Sequence, residues 1–218
     1  MSQPSRQPGR VIILNGGSSA GKTTLARTLQ SSLHAPWLLL GIDLLIWTLP
    51  PDLINDPQGL WVRDGVIARG DVFMSLYSGF QAAAAALAGT GVDILVDDVA
   101  LDGLADQRRW NEALKGFEVF WIGVRCDPEI AAEREALRQS RLPGVAAHQA
   151  VSVHSGVQYD VEVDTGLVDV AEEVRKVAES LNRKWALKLS ARSNAGSALP
   201  PTSAWTPGEA LPPPPWER

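Results

Sequence analysis

The chain has one cysteine, three histidines and no excess of basic residues, and each shortage removes a class of function. Cys126 alone forms no internal disulfide, so nothing calls for an oxidising compartment, and its place just after an apolar run marks a buried, inert thiol. His148 and His154 have no Cys or carboxylate cluster at ligand spacing, so they read as surface or packing residues. Lys and Arg number 20 against 25 Asp and Glu, a formal net charge of −5, and no basic stripe runs along the chain. A nucleic-acid backbone is therefore a poor partner, while small anions held by a few local cations remain open. Residues 1–10 are polar and proline-containing, unlike a secretory signal, and the most apolar helix-like stretch, residues 81–88, is an alanine run too short to span a bilayer. The expectation is a cytoplasmic protein that uses neither membrane nor nucleic acid; its oligomeric state is not legible.

What is present is one α/β pattern. Apolar runs at residues 11–14, 36–41, 92–98, 117–124 and 159–164 read as about five strands, and helical spacing fills residues 23–33, 71–87, 103–114, 128–140 and 168–181 between or after them. Alternating strands and helices predict a parallel sheet with helices on both faces and ligands at the carboxyl ends of the strands. Residues 50–70, rich in Pro, Asp and Gly, read as a long irregular insertion of the kind that is functional or mobile. Residues 1–9 read as a flexible lead, 10–186 as the domain, and 187–218, rich in Ser, Ala and Pro, as a disordered tail.

Between the first strand and its helix stands Gly16-Gly17-Ser18-Ser19-Ala20-Gly21-Lys22-Thr23, a full G-x-x-x-x-G-K-[ST]. Strand, loop and helix in that order make a phosphate cradle: loop N–H groups face a polyphosphate, Lys22 reaches the β- and γ-phosphates, and the Thr23 hydroxyl holds Mg²⁺. Thr24 extends the nucleotide-binding set. This predicts a P-loop NTPase of the nucleotide-kinase-like type using ATP and Mg²⁺.

Asp97 and Asp98 close an apolar strand, a Walker-B arrangement; since neighbours on a strand face opposite ways, only one serves the metal, and Asp97 is assigned to it. Asp43, at the expected end of the second strand, suits either a base for an acceptor hydroxyl or an N-cap for the following turn. Arg134, Arg138 and Arg141 stand at i, i+4 and i+7, a like-charged row costing ~0.2–0.5 kcal/mol per exposed pair unless an anion or Glu133 and Glu135 offset it. Pro143-Gly144 beyond the row suggests a hinged flap. Trp47, Trp61, Phe73 and Tyr77, in or beside the insertion, suit either a core or an apolar acceptor pocket.

Assembled, residues 10–169 resemble the chloramphenicol phosphotransferase family. The likeness rests on Ile12-Ile13-Leu14-Asn15-Gly16-Gly17-Ser18-Ser19-Ala20-Gly21-Lys22, on Pro36-Trp37-Leu38 leading to Gly41-Ile42-Asp43, on Asp97-Asp98-Val99 and on Trp121-Ile122-Gly123-Val124-Arg125-Cys126-Asp127. Val153-His154 and the run from Tyr159 to Thr165 look like the family's final strand. The resemblance implies that Asp43 is the base on the acceptor hydroxyl, that Arg138 and Arg141 attend the phosphates, and that the γ-phosphoryl of ATP passes to a small hydroxylated acceptor, chloramphenicol being the first to test. A kinase for another natural product, sugar or nucleoside is the nearest alternative, and a nucleotide-dependent switch or ATPase the more distant one.

Overall fold

The computed structural model describes residues 7–63, 66–137, 144–166 and 168–186. Its centre is strand β1 (Val11–Asn15), buried along its whole length. Side chains alternate across a strand, so Ile12 and Leu14 enter one core and Val11 and Ile13 the other. On the first face lie helices α1 (Lys22–Ser32), through Leu25, Ala26 and Leu29, and α7 (Val170–Trp185), through Val174, Val177 and Leu181. On the second lie α3 (Asp71–Gly89), through Ala84 and Ala88, and α4 (Leu104–Ala113), through Trp110. A strand apolar on both sides is what a parallel sheet covered on each face requires.

With β2 (Trp37–Gly41), β5 (Asp93–Asp98), β6 (Val119–Arg125) and β7 (Val161–Asp164), β1 forms a five-stranded sheet in the order β2-β5-β1-β6-β7, every pair parallel. Register carries the functional consequence. Leu14 lies opposite Asp97, and Asp97 opposite Gly41, so the strand ends leading to the Gly-rich loop, the carboxylate pair and helix α2 (Ile42–Trp47) stand side by side.

The parallel sheet with helices on both faces is as expected; several local features are not. Residues 50–70, expected to be irregular, contain a 3-10 turn at Pro51–Leu53 and an antiparallel hairpin of β3 (Leu60–Arg63) and β4 (Val66–Arg69). Strands of four residues are too short to show a period amid Pro, Asp and Gly. Asp43 does not end β2. The chain turns at Gly41, and Asp43 lies inside the first turn of α2 with Gly41 at the N-cap position, so the N-cap alternative is also set aside. Past Gly144 the chain forms helix α6 (Val145–Ser152), which buries Val145, Ala146, Gln149 and Ala150 and packs on α5 (Pro128–Ala136); the hinged flap expected of the arginine row falls mostly outside the described residues. Arg138 and Arg141, Pro143, and the expected tail lie outside the described residues. The apolar stretch is longer than the alanine run: Asp71–Gly89 is long and apolar enough, by length and composition, to cross a membrane. Here it is a core helix, packed on β5 and α4, that buries Phe73, Tyr77, Gln81, Ala84 and Ala88.

Cys126 is buried, and burial pushes its thiol above the usual range, as an inert cysteine requires. His148 is exposed and His154 is buried. His154 Nδ1 lies 2.6 Å from the Tyr159 hydroxyl, whose oxygen also accepts from Asn15 Nδ2 at 2.7 Å. One hydrogen bond joins the hydroxyl and Nδ1, and Nε2 is buried with no partner among the described residues. Burial first, then the Arg125 charge, lowers the His154 pKa to about 4. A depressed histidine contributes stability that is complete above the unfolded value of 6.5 and lost as pH falls toward 4. Replacing His154 by Gln should flatten this part of the pH–stability curve, a difference of at most roughly 3 kcal/mol, read by urea titration at pH 7 and pH 4.5. Parallel curves for the two proteins would refute it.

Candidate active site

Glycine is required where the loop is closely packed: a Cβ on Gly16 would stand 2.5 Å from Val124 O. A Cβ on Gly17 would stand 2.9 Å from the backbone N of Ala150 in α6, and Gly21, at φ 80°, takes the left-handed turn into α1. Ser19 is also left-handed, at φ 59°, uncommon for a serine, and such a turn curves successive N–H groups into an anion-binding nest. Its Oγ is buried without a partner among the described residues. Lys22 is 8% exposed and its Nζ donates to Gly17 O at 2.8 Å, so the loop closes around its own cation. An unmet hydroxyl, an ammonium and a nest converging on one loop fit a polyphosphate.

The adjacent Thr23–Asp97 pair follows from the pleat. On β5, Leu95 belongs to the core under α1, and Ile94 and Val96 to the core under α3 and α4. Two residues on from Leu95, Asp97 faces α1, where it accepts from Thr23 Oγ1 at 2.6 Å. Magnesium keeps several waters and takes one or two protein oxygens beside those of phosphate. The Thr23–Asp97 pair suits it, and among the described residues no cluster of three His, Cys, Asp or Glu could hold a metal alone.

Asp98 faces the other way and does something else. One carboxylate oxygen accepts from the Tyr77 hydroxyl, with Trp110 Nε1 2.5 Å away, and the other accepts from Val99 N at 2.8 Å. Burial raises its pKa against the pull of these three donors, and burial together with the Asp98 charge pushes the Tyr77 phenol well above its ordinary value. Asp98 thus binds α3 and α4 to the end of β5.

Two cavities meet at α2. The larger, about 550 Å³, runs from Lys22, Thr23 and Asp97 outward past Leu38, Leu44 and Trp47, with Ser19, Gly21 and Thr24 on its wall. The smaller, about 290 Å³, lies between the hairpin and α3, lined by Ile46, Leu60, Ile67, Phe73 and Tyr77. Ile42, Asp43 and Val99 border both.

Of the four aromatic candidates, Phe73 and Tyr77 line the smaller cavity, Trp47 the larger and Trp61 neither. Arg134 is brought to neither. It donates to Thr165 O at 2.7 Å, and Thr165 Oγ1 in turn bonds Ala20 O at 2.5 Å, so it braces the loop from behind. Glu135, one of the two carboxylates offered as the alternative to an anion beside the arginine row, accepts from Gly144 N and Ala146 N at the start of α6.

Sequence reasoning missed Arg69, Gln149 and the Tyr77–Asp98 bond. Arg69 on β4 pairs with Asp102 at 2.7 Å and Asp106 at 2.9 Å and lies over the Tyr77 ring, clamping the hairpin to α4. Burial opposes its charge, but Asp106 and Asp102 outweigh this and hold its pKa above the usual value. Gln149 Oε1 accepts from Ser18 N at 2.8 Å.

The sequence model described as chloramphenicol phosphotransferase-like protein matches residues 9–182. The chain belongs to this family. It is 34% identical over 190 residues to a Mycobacterium tuberculosis protein provisionally named an O-phosphotransferase, covering 79% of this chain and 82% of that one. Among solved structures, a sugar kinase from Janibacter has a TM-score of 0.59 at 16% identity, covering 80% of this chain and 95% of that one. A gluconokinase from Sinorhizobium meliloti has 0.55 at 17%, covering 82% and 94%. The Mycobacterium tuberculosis adenylylsulfate (APS) kinase solved with AMPPNP and APS has 0.53 at 16%, covering 80% and 98%. At these identities the structures establish the fold, that of P-loop kinases. Family and fold together make this chain a P-loop small-molecule kinase, a phosphotransferase.

The opposed facing of the two aspartates separates their roles experimentally. Asp98→Asn places an amide against the Tyr77 and Trp110 donors or forfeits the Val99 bond, and should cost about 1–3 kcal/mol in a urea titration. Asp97→Asn should lose less stability and instead raise the Mg²⁺ concentration needed for half-maximal activity. The reverse pattern would exchange the assignments.

Proposed function

We propose that this kinase transfers the γ-phosphoryl group of ATP to a hydroxyl of a small, largely apolar molecule, with chloramphenicol the first acceptor to test, and that it works in the cytoplasm. The observation that carries the reading is the position of Asp43, on the shared wall of a phosphate-and-metal cavity and an apolar cavity. A carboxylate bordering both cavities suits a base for a hydroxyl held in the smaller one and a γ-phosphorus held in the larger.

In the proposed step Asp43 orients the hydroxyl and takes its proton as the new oxygen–phosphorus bond forms and the bond to the β–γ bridging oxygen breaks, releasing ADP. Lys22 and the loop N–H groups stabilise the charge on the phosphate oxygens throughout. Bound between Thr23, Asp97 and the phosphates, Mg²⁺ would neutralise charge on the β- and γ-oxygens. Arg138 and Arg141 are assigned to the phosphates on the family likeness, and residues 10–186 to the catalytic domain. The apolar lining from Ile42, Ile46, Leu60, Ile67 and Phe73 favours this acceptor class over a sugar, whose hydroxyls need many polar partners.

Asp43→Asn keeps size and hydrogen bonding but removes the base. Affinity for Mg·AMPPNP by calorimetry should stay within about threefold, while product formation, followed by mass spectrometry, falls by on the order of 10²–10⁴-fold. Near-normal transfer by this variant would remove Asp43 from the mechanism. ATP consumption by the wild type with no phosphorylated product from a panel of hydroxylated compounds would favour an ATPase or switch.

A further inference from the structure

We propose that Gln149 is a specificity-determining residue whose carboxamide NH₂ donates into the smaller cavity and selects hydroxyl compounds that also carry a carbonyl oxygen on an otherwise apolar frame. The inference rests on the reading of that cavity as the acceptor site. Gln149 is 3% exposed and borders the cavity beside Ser18 and Asp43. A backbone N–H can only donate, so the Ser18 N–H fixes which end of the carboxamide is oxygen. The NH₂ is then the opposite end, and it bonds none of the described residues.

The helix that carries it is pinned at three points. Glu135 accepts from Gly144 N at 2.7 Å and Ala146 N at 2.9 Å, Gly17 lies against the backbone of Gln149 and Ala150, and Asn15 Nδ2 donates to Val153 O at 2.9 Å. The donor is preorganised, so an acceptor meets it without ordering a loop. Apart from Asp43, read as the base on the hydroxyl, the cavity's other large polar groups are committed: Arg69 to Asp102 and Asp106, Asp98 to Tyr77, Trp110 and Val99, Glu135 to α6. A pure hydrocarbon alcohol would leave the Gln149 donor buried and unmet, the situation in which a site discriminates most strongly.

The test compares chloramphenicol, a nitrophenylpropanediol bearing an amide carbonyl, with 1-(4-nitrophenyl)propane-1,3-diol, which keeps the ring and both hydroxyls and lacks the dichloroacetamide. In the wild type the ratio of their kcat/KM values should favour chloramphenicol by about tenfold or more, and Gln149→Met should bring it to within about threefold of unity. Disturbance of the phosphate loop would lower both values alike and leave the ratio standing, so an unchanged ratio in Gln149→Met overturns the inference, as does a wild-type ratio near one. If Gln149→Met fails to fold, Gln149→Glu keeps an oxygen for Ser18 N–H while removing the donor, and is read the same way. If Mg·AMPPNP binds but neither diol is phosphorylated, the chloramphenicol assignment falls. The ratio of the two compounds' Kd values in the presence of Mg·AMPPNP then decides the inference, and equal Kd values or no binding of either overturns it.

Discussion

The fully buried side chain of Asn15 holds the site together. It ends the central strand, and its polar atoms reach three segments far apart in the chain: Nδ2 donates to Val153 O at 2.9 Å and to the Tyr159 hydroxyl at 2.7 Å, and Oδ1 accepts from Ala100 N at 2.9 Å. These are the end of α6, the approach to β7 and the loop after β5. A buried amide satisfied on both ends fixes geometry as well as contributing energy, because any shift of one partner strands another. The first residue of the phosphate loop leaves the sheet at this knot, so the direction of the loop, the seat of α6 and the exit of the Asp97–Asp98 strand are set by one side chain.

From there the pleat decides the division of labour. Successive side chains of β5 fall into opposite cores, and the two aspartates inherit that alternation. Asp97 meets Thr23 on α1, where the proposed mechanism uses it; Asp98 meets Tyr77 and Trp110 and is spent on α3 and α4. Two chemically identical neighbours thus acquire unlike roles with no further residue needed to tell them apart. The same alternation splits β1 between the α1 and α3 sides, so the site and the cores obey one rule.

This explains what was legible in the sequence. Patterns that are local and long enough to repeat, the apolar strand, the phosphate-loop motif and the strand ending in Asp97-Asp98, identify the fold and half of the site. The sequence singles out Asp43 yet puts it at a strand end, because the apolar run 38–40 reads smoothly on toward it, whereas Gly41 turns the chain and starts a helix one residue earlier. The hairpin was hidden by the shortness of its strands, though the Asp64-Gly65 pair between Leu60–Arg63 and Val66–Arg69 is a recognised hairpin signal. Arg69 and Gln149 were beyond reach on other grounds. Their meaning lies in partners 37 and 131 residues away, Asp106 and Ser18, and no spacing rule spans such distances.

Helix α5 shows how such long-range pairs join into one support. Arg134 and Glu135 are consecutive, so their side chains leave the helix about 100° apart. One reaches Thr165 O, whose residue bonds Ala20 O behind the phosphate loop; the other caps α6, which lies over the front of the loop at Gly17 and Ser18. The loop is thereby held from both sides through neighbouring residues of a single helix, and Arg138 and Arg141 follow it directly in the chain. A displacement of α5 would be felt at Ala20, at Ser18 and at the wall of the smaller cavity together. The Gly-rich loop and the smaller cavity therefore share one mechanical frame, with Asp43 bordering both cavities.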